Sequence, residues 1–114
     1  HPDAVVLAVI QRAEYGMPYI EGGQDRPWNG TAEIYRTLEG KTDERIFHLY
    51  RSGASTACAD GISAPKPGSI WVLYVSNDAP RTPEGYRRAL GYPLVVAHAA
   101  DPRLPRLLER EGYR

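Results

Sequence analysis

Hydrophobic residues in this chain gather in short runs of strand length rather than at helical spacing. The first run, AVVLAVI at 4–10, is apolar at every position, and the chain then turns polar. We therefore predict one long strand over 3–16, buried at its start and exposed at its end. SIWVLYV at 69–75 is also apolar at successive positions, as expected of a strand that is buried on both faces.

Between these two runs the polar and apolar positions alternate. In residues 31–40, the side chains of Ala32, Ile34 and Leu38 fall on one face of an extended chain, which predicts a half-buried strand. Residues 44–52 predict another strand after a short polar linker, so the two strands are expected to form a hairpin.

The last third of the chain carries helix signals. Thr82 and Pro83 fit the N-cap and first residue of a short helix ending at Gly91. Residues 92–100 predict a last strand, and residues 101–112 a terminal helix. Three leucines form the apolar stripe of that terminal helix: Leu104, Leu107 and Leu108.

Five strand candidates without βαβ alternation predict a mainly β fold, a small and mostly antiparallel barrel or sandwich. The length of 114 residues suits a single domain over 1–114. The formal net charge is zero, which disfavours nucleic acid and anionic membranes as partners. No apolar run approaches the roughly 20 residues that cross a bilayer, so no membrane span is expected.

Residues 17–30, MPYIEGGQDRPWNG, contain two prolines and a Gly-Gly pair and predict a long loop. Its end, Asn29-Gly30, is a tight-turn signal. Large apolar side chains on a long loop could form a partner-contact patch, although Trp28 and Ile20 could instead fold back over one end of the sheet. The patch would consist of Met17, Tyr19, Ile20 and Trp28.

The order of these segments resembles the netrin-like domains, the family that includes the tissue inhibitors of metalloproteinases and a bacterial branch. The resemblance covers 3–76 and is carried by LEG at 38–40, by Cys58 within STAC and by PGSIWVLY at 67–74. It implies a five-stranded Greek-key barrel of the OB type with short, mostly C-terminal helices. The barrel core would span about 3–100, followed by a C-terminal helix over about 101–112.

The resemblance also gives a role to Cys58, the one cysteine of the chain. In the family the matching cysteine is usually disulfide-bonded to one near the N-terminus, so the resemblance implies a partner upstream of His1 and a secreted or periplasmic location. The inhibitors of the family chelate zinc through an N-terminal cysteine that no residue here matches. From the residues alone, Cys58 could also be a buried thiol, or a nucleophile activated by His48 or His98.

A ligand face is a further candidate, because OB-type barrels bind oligonucleotides and oligosaccharides through aromatic and basic residues. Such residues lie on the second and third predicted strands, although half of them must face inward and cross-strand packing explains them equally. The candidates are Tyr35, Phe47, Tyr50 and Arg51.

Other chemistry has little support in the sequence. The three histidines are widely separated and there is no glycine-rich phosphate loop, so we expect neither a metal nor a cofactor. The sequence therefore predicts a non-enzymatic interaction module of an exported protein, with an unknown protein partner and a role that could include protease regulation. The alternatives are an oligonucleotide- or oligosaccharide-binding barrel and a thiol enzyme centred on Cys58.

Overall fold

The protein is mainly β, as a computed structural model shows for residues 2–16, 28–51, 64–110 and 112. Six strands form one curled half-barrel sheet, and two short helices follow near the C-terminus. The elements are β1 (Ala4–Tyr15), β2 (Trp28–Gly40), β3 (Ile46–Arg51), β4 (Ile70–Val75), β5 (Arg87–Arg88), β6 (Gly91–Pro93), α1 (Leu94–Ala100) and α2 (Leu104–Arg110). The predicted class and the C-terminal position of the helices are confirmed.

The strands are ordered β5-β3-β2-β1-β4-β6 across the sheet. Every pairing is antiparallel except that of β3 with β5, which is parallel. The two edge strands β5 and β6 are adjacent in sequence, so the short segment 87–93 reaches both edges. The Ala89 N–H donates to the Tyr50 carbonyl (2.8 Å), and the Leu90 carbonyl accepts from the Tyr74 N–H (2.8 Å). This segment therefore bridges the opening of the curled sheet.

Strand β1 lies at the centre of the sheet and is buried on both faces over its first half, as its apolar run predicts. Ala4, Val6, Ala8 and Ile10 point into the concave core with Trp28, Phe47 and Trp71. Val5 and Leu7 point the other way, towards the helices. Strand β4 is likewise buried on both faces, which confirms the prediction for 69–75.

Two bulges in β2 change which side chains share a face. Val5 pairs with Glu39 and Val6 with Thr37, so Leu38 between them has no partner on β1. At a second register shift, Tyr35 likewise has no partner on β1. A bulge reverses the alternation of side chains along a strand. Ala32 and Ile34 therefore pack in the concave core, whereas Leu38 packs on the helical face. The prediction that these three residues share one face is wrong for Leu38.

The tight turn predicted at Asn29-Gly30 is also wrong, because both residues lie within β2. Gly30 is needed there for a close approach rather than for a turn. A Cβ at Gly30 would lie 2.5 Å from the carbonyl oxygen of Arg12, next to the third register shift of the β1–β2 pair. A bulge that brings two backbones together explains this glycine.

The last third of the chain differs most from its prediction. A helix is absent from 82–91, where a turn leads into β5, and 92–100 contains only the end of β6 before α1 begins. An apolar run of this length fits a helix as well as a strand, which pattern alone does not resolve. The terminal helix is confirmed as the shorter α2, and its three leucines are buried against β1 and β2.

Neither helix could cross a membrane, since each has only seven residues and no longer helix occurs in the described residues.

Candidate functional site

A cleft of about 440 Å³ opens between the segment 88–92 and the end of α1. Its volume is within the range of small-ligand and side-chain sites, about 300–1,000 Å³. We call it the Arg88 cleft, and its polar wall consists of Arg51, Tyr74, Arg88, Tyr92 and Asp101.

The alternation of strand β4 directs Tyr74 into this cleft. Trp71 and Leu73 point into the concave core, so Tyr74 packs on the opposite, helical face. Asp101 is placed by α1, because it caps the helix C-terminus and its N–H donates to the carbonyl of Ala97 (2.9 Å). The sheet and α1 together thus bring Tyr74 and Asp101 into contact.

The Tyr74 hydroxyl donates to Oδ2 of Asp101 at 2.5 Å. On the other carboxylate oxygen, Asp101 accepts from the backbone N–H of Arg103 at 2.9 Å. Burial alone would raise the pKa of Asp101, but these hydrogen bonds and the Arg103 charge outweigh it and hold the pKa below its usual value. Burial, reinforced by the bond to Asp101, raises the pKa of Tyr74 well above its usual value. At neutral pH the carboxylate is therefore ionised and already satisfied.

We expect Tyr74→Phe to lower the free energy of unfolding by about 1–3 kcal/mol at pH 7, because the buried carboxylate loses a donor. A carboxyl group whose pKa is lower in the folded than in the unfolded protein stabilises the fold at pH values above its unfolded pKa of about 3.9. This stabilisation is lost as the pH falls through the folded pKa. Urea denaturation from pH 7 to pH 3 should therefore show the gap between wild type and variant closing. Tyr92→Phe is the control, because that hydroxyl makes no hydrogen bond within the described residues. A gap of constant size would contradict the assigned bond.

Two arginines, Arg51 and Arg88, line the cleft. The Arg51 guanidinium donates to the carbonyl of Ala89, which ties the end of β3 to the bridging segment. Arg88 is exposed and forms no ion pair with a described carboxylate. Asp101, the one carboxylate among the described wall residues, is bonded to Tyr74 and Arg103, so no described carboxylate of the cleft neutralises the positive charge of Arg88.

Aliphatic side chains border the cleft. Leu90, which is 46% exposed, belongs to the cleft wall, and Val96 on α1 is 47% exposed. Val96 is four residues before Ala100, another wall residue, so the two lie on the same side of the helix. Val95 is 87% exposed, and Ala97 is the one buried residue of α1. The helix therefore presents an apolar surface that the described residues leave uncovered.

The residues proposed from sequence as a ligand face do not lie together. Phe47 is 1% exposed in the concave core, while Tyr50 points to the other side of β3 because the two differ by an odd number of positions. Tyr35 occupies a bulge of β2 and is 41% exposed. Of the four, Arg51 alone lies in the cleft.

The structure places Trp28 inside the protein. Its ring is 1% exposed and packs edge-on against Trp71, with 5.7 Å between the ring centroids. This is the fold-back alternative stated for the 17–30 segment, and it removes Trp28 from any contact surface. The remaining candidates lie outside the described residues: Met17, Tyr19, Ile20 and Cys58.

A second polar surface lies on the outside of the β2–β3 hairpin. The ring centroids of His48 and Tyr86 are 5.6 Å apart, and the Arg12 guanidinium donates to the Tyr86 hydroxyl at 3.3 Å. Thr31 Oγ1 is 3.3 Å from Nδ1 of His48. In the described residues, no three His, Cys, Asp or Glu side chains group closely enough to hold a metal ion.

Sequence reasoning missed the Arg88 cleft because its residues come from separate segments. The one available signal was an excess of basic residues after position 78, where seven arginines accompany four acidic residues. Alternating charges of this kind are typical of a solvated helix, and nothing in the spacing of Tyr74, Arg88 and Asp101 indicates that they meet. Known proteins supply no role for these residues either, because no protein-family model, curated protein or solved structure matches this chain.

Proposed function

We propose that this chain is a non-enzymatic interaction module of an exported protein, and that it binds a partner protein through the Arg88 cleft and its aliphatic border. The observation that carries the proposal is the exposure of Leu90 in a wall built from arginine and tyrosine, together with exposed Val95 and Val96 on the helix whose end forms part of that wall. Tyrosine and arginine are enriched where binding energy concentrates in protein interfaces. Burial of the aliphatic border against a partner would add about 25 cal/mol per Å² of apolar surface.

The finer fold proposal is an OB-type barrel of netrin-like descent. It is supported by the spatial order β3-β2-β1-β4, which is the arrangement of a Greek key. It is also supported by the segment 87–93, since β5 and β6 can be understood as two halves of one bent fifth strand. Export, a disulfide from Cys58 and a role in protease regulation follow from the netrin-like resemblance and are proposed on that basis.

Val96→Asp should separate this proposal from its rivals. We expect wild-type protein to retain a partner from the exported proteins of its own host, and the variant to bind the purified partner at least about tenfold more weakly. A carboxylate buried in the interface loses its hydration and gains no compensating partner, which accounts for a loss of affinity of this size. Isothermal titration calorimetry with the purified partner measures the change.

Ile46→Asp is the matched control, because Ile46 is also 47% exposed but lies on β3, away from the cleft. Thermal unfolding of both variants verifies that each remains folded. Equal affinity of wild type and Val96→Asp would exclude α1 from the interface. Equal weakening by both substitutions would indicate a general loss of structure or solubility instead.

A second candidate function is oligonucleotide or oligosaccharide binding on the outside of the hairpin. It is favoured by the adjacent His48 and Tyr86 rings with Arg12 beside them, because aromatic rings stack on bases and sugars. Salt-dependent oligonucleotide binding that persists in Val96→Asp and is lost in Tyr86→Ala would favour this candidate over the first.

A further inference from the structure

We propose that the Arg88 cleft selects an acidic segment of its partner, with a carboxylate placed against Arg88 and an aliphatic side chain against Leu90 and Val96. The selectivity rests on the proposed function, because it names the partner chemistry of the same surface. An acidic and aliphatic peptide matches both the charge of Arg88 and the apolar border of the cleft.

The position of Arg88 is fixed by the residue before it. The Arg87 side chain is 8% exposed, bonds to Glu44 at 2.7 Å and lies over the Phe47 ring at 4.9 Å. Consecutive residues of a strand point to opposite sides, so anchoring Arg87 inwards directs Arg88 outwards. The pairing of Arg88 with Tyr50 on β3 holds the backbone at that register. Arg88 is therefore presented to solvent from a strand that is paired with β3.

The charge balance of the cleft favours an anion. Arg88 contributes a positive charge that no described carboxylate pairs with, and Asp101 is the one carboxylate among the described residues of the wall. Asp101 accepts from the Tyr74 hydroxyl and from the Arg103 backbone, with the Arg103 Nε also 3.6 Å away. Each oxygen of Asp101 thus already accepts a hydrogen bond within the protein, and the Arg103 charge is beside it, which makes this carboxylate a poor partner for a cationic ligand. A carboxylate of the partner would instead meet an exposed guanidinium, which binds such groups with two parallel hydrogen bonds.

The apolar border restricts the anion to one attached to an aliphatic chain. Leu90 follows Arg88 by two residues in the cleft wall, and the exposed Val96 lies about one helical turn before Ala100 of the same wall. A free inorganic anion would leave both side chains in water, whereas a peptide with an acidic and an aliphatic residue two positions apart would cover them. An extended peptide places consecutive side chains on opposite sides and residues two apart on the same side, about 6.8 Å from each other.

Peptide titrations on the intact chain test this selectivity. We would label the full chain with ¹⁵N and add three acetylated, amidated peptides in turn: Leu-Ser-Glu-Ser-Leu, its glutamine counterpart and its lysine counterpart. The glutamate peptide is expected to shift amide signals of 88–92 and 96–101, with an affinity up to about fivefold above that of the glutamine peptide. That factor corresponds to one solvent-exposed ion pair.

Charge reversal supplies the decisive comparison. Arg88→Glu should invert the preference, so that the lysine peptide binds more tightly than the glutamate peptide. Arg106→Glu, an exposed arginine on α2 outside the cleft wall, should leave the preference of the wild type unchanged. Raising the salt to 1 M, where screening acts within about 3 Å, should bring the glutamate and glutamine peptides to similar affinity.

An unchanged preference in Arg88→Glu, shifts confined to another surface, or absence of binding by all three peptides would overturn the acidic selectivity. A different result would contradict the proposed function, namely that Val96→Asp binds the purified partner as tightly as the wild type does. If Val96→Asp abolishes partner binding while the peptides show no charge preference, the interaction surface stands and only the acidic selectivity is wrong.

Discussion

Replacing Trp71 by alanine is expected to lower the free energy of unfolding by about 3–5 kcal/mol. Trp71 is 1% exposed on β4, packs edge-on against Trp28 and pairs through the backbone with Ala8 of the central strand. Its loss would leave a cavity in the concave core and would remove the aromatic contact with Trp28. Because the free energy of unfolding of a small domain is only about 5–15 kcal/mol, the substitution would remove a large part of it. Urea denaturation followed by circular dichroism measures the change.

Two controls accompany this variant. Trp71→Phe retains an aromatic ring and should cost less than alanine. Val95→Ala changes a side chain that is 87% exposed and should alter the free energy by no more than about 0.5 kcal/mol. A Trp71→Ala protein with wild-type stability would mean that the concave core does not depend on this ring, contrary to the packing described above.

Gly40→Ala is expected to destabilise the protein by about 2–5 kcal/mol. The backbone at Gly40 has φ +75°, a conformation that costs an alanine roughly 1–2 kcal/mol. A Cβ there would also lie 1.8 Å from the carbonyl oxygen of Asp3, so the start of β1 would have to move, at a cost of about 1–3 kcal/mol. Chemical denaturation at neutral pH determines the sum of the two costs.

Gly68→Ala separates the two causes. Gly68 has a similar φ of +88°, but nothing lies within 4 Å of a Cβ placed there. It should therefore show the backbone cost alone, about 1–2 kcal/mol. If Gly40→Ala were no more destabilising than Gly68→Ala, the close approach of Asp3 would not constrain position 40.

Some elements were predictable because a local pattern carries enough information. The continuous apolar run of β1 indicates burial on both faces, and Val5 and Val6 indeed pack on opposite sides of the sheet. The leucines of α2 repeat at helical spacing, and that spacing identifies both the helix and its buried face. In each case the neighbouring residues alone define the period.

Other features depend on contacts that no local pattern contains. Leu38 lies on the helical face because bulges in β2 reverse its direction, and a bulge is set by the pairing with β1. Residues 82–91 carry helix signals at Thr82 and Pro83, yet the two open edges of the sheet draw 87–93 into strand pairing. The backbone hydrogen bonds available at the two sheet edges therefore outweigh the local helix propensity of this segment.

The sequence by itself determined the mainly β class, the central buried strand, the β2–β3 hairpin and the apolar face of the terminal helix. The tertiary structure alone decided the Arg88 cleft. Tyr74, Arg88 and Asp101 come from β4, β5 and the end of α1, and they meet only because the bridging segment brings the two edges of the sheet together. Periodicity describes which way a side chain points from its own strand or helix, whereas a site formed between elements depends on long-range pairing and packing.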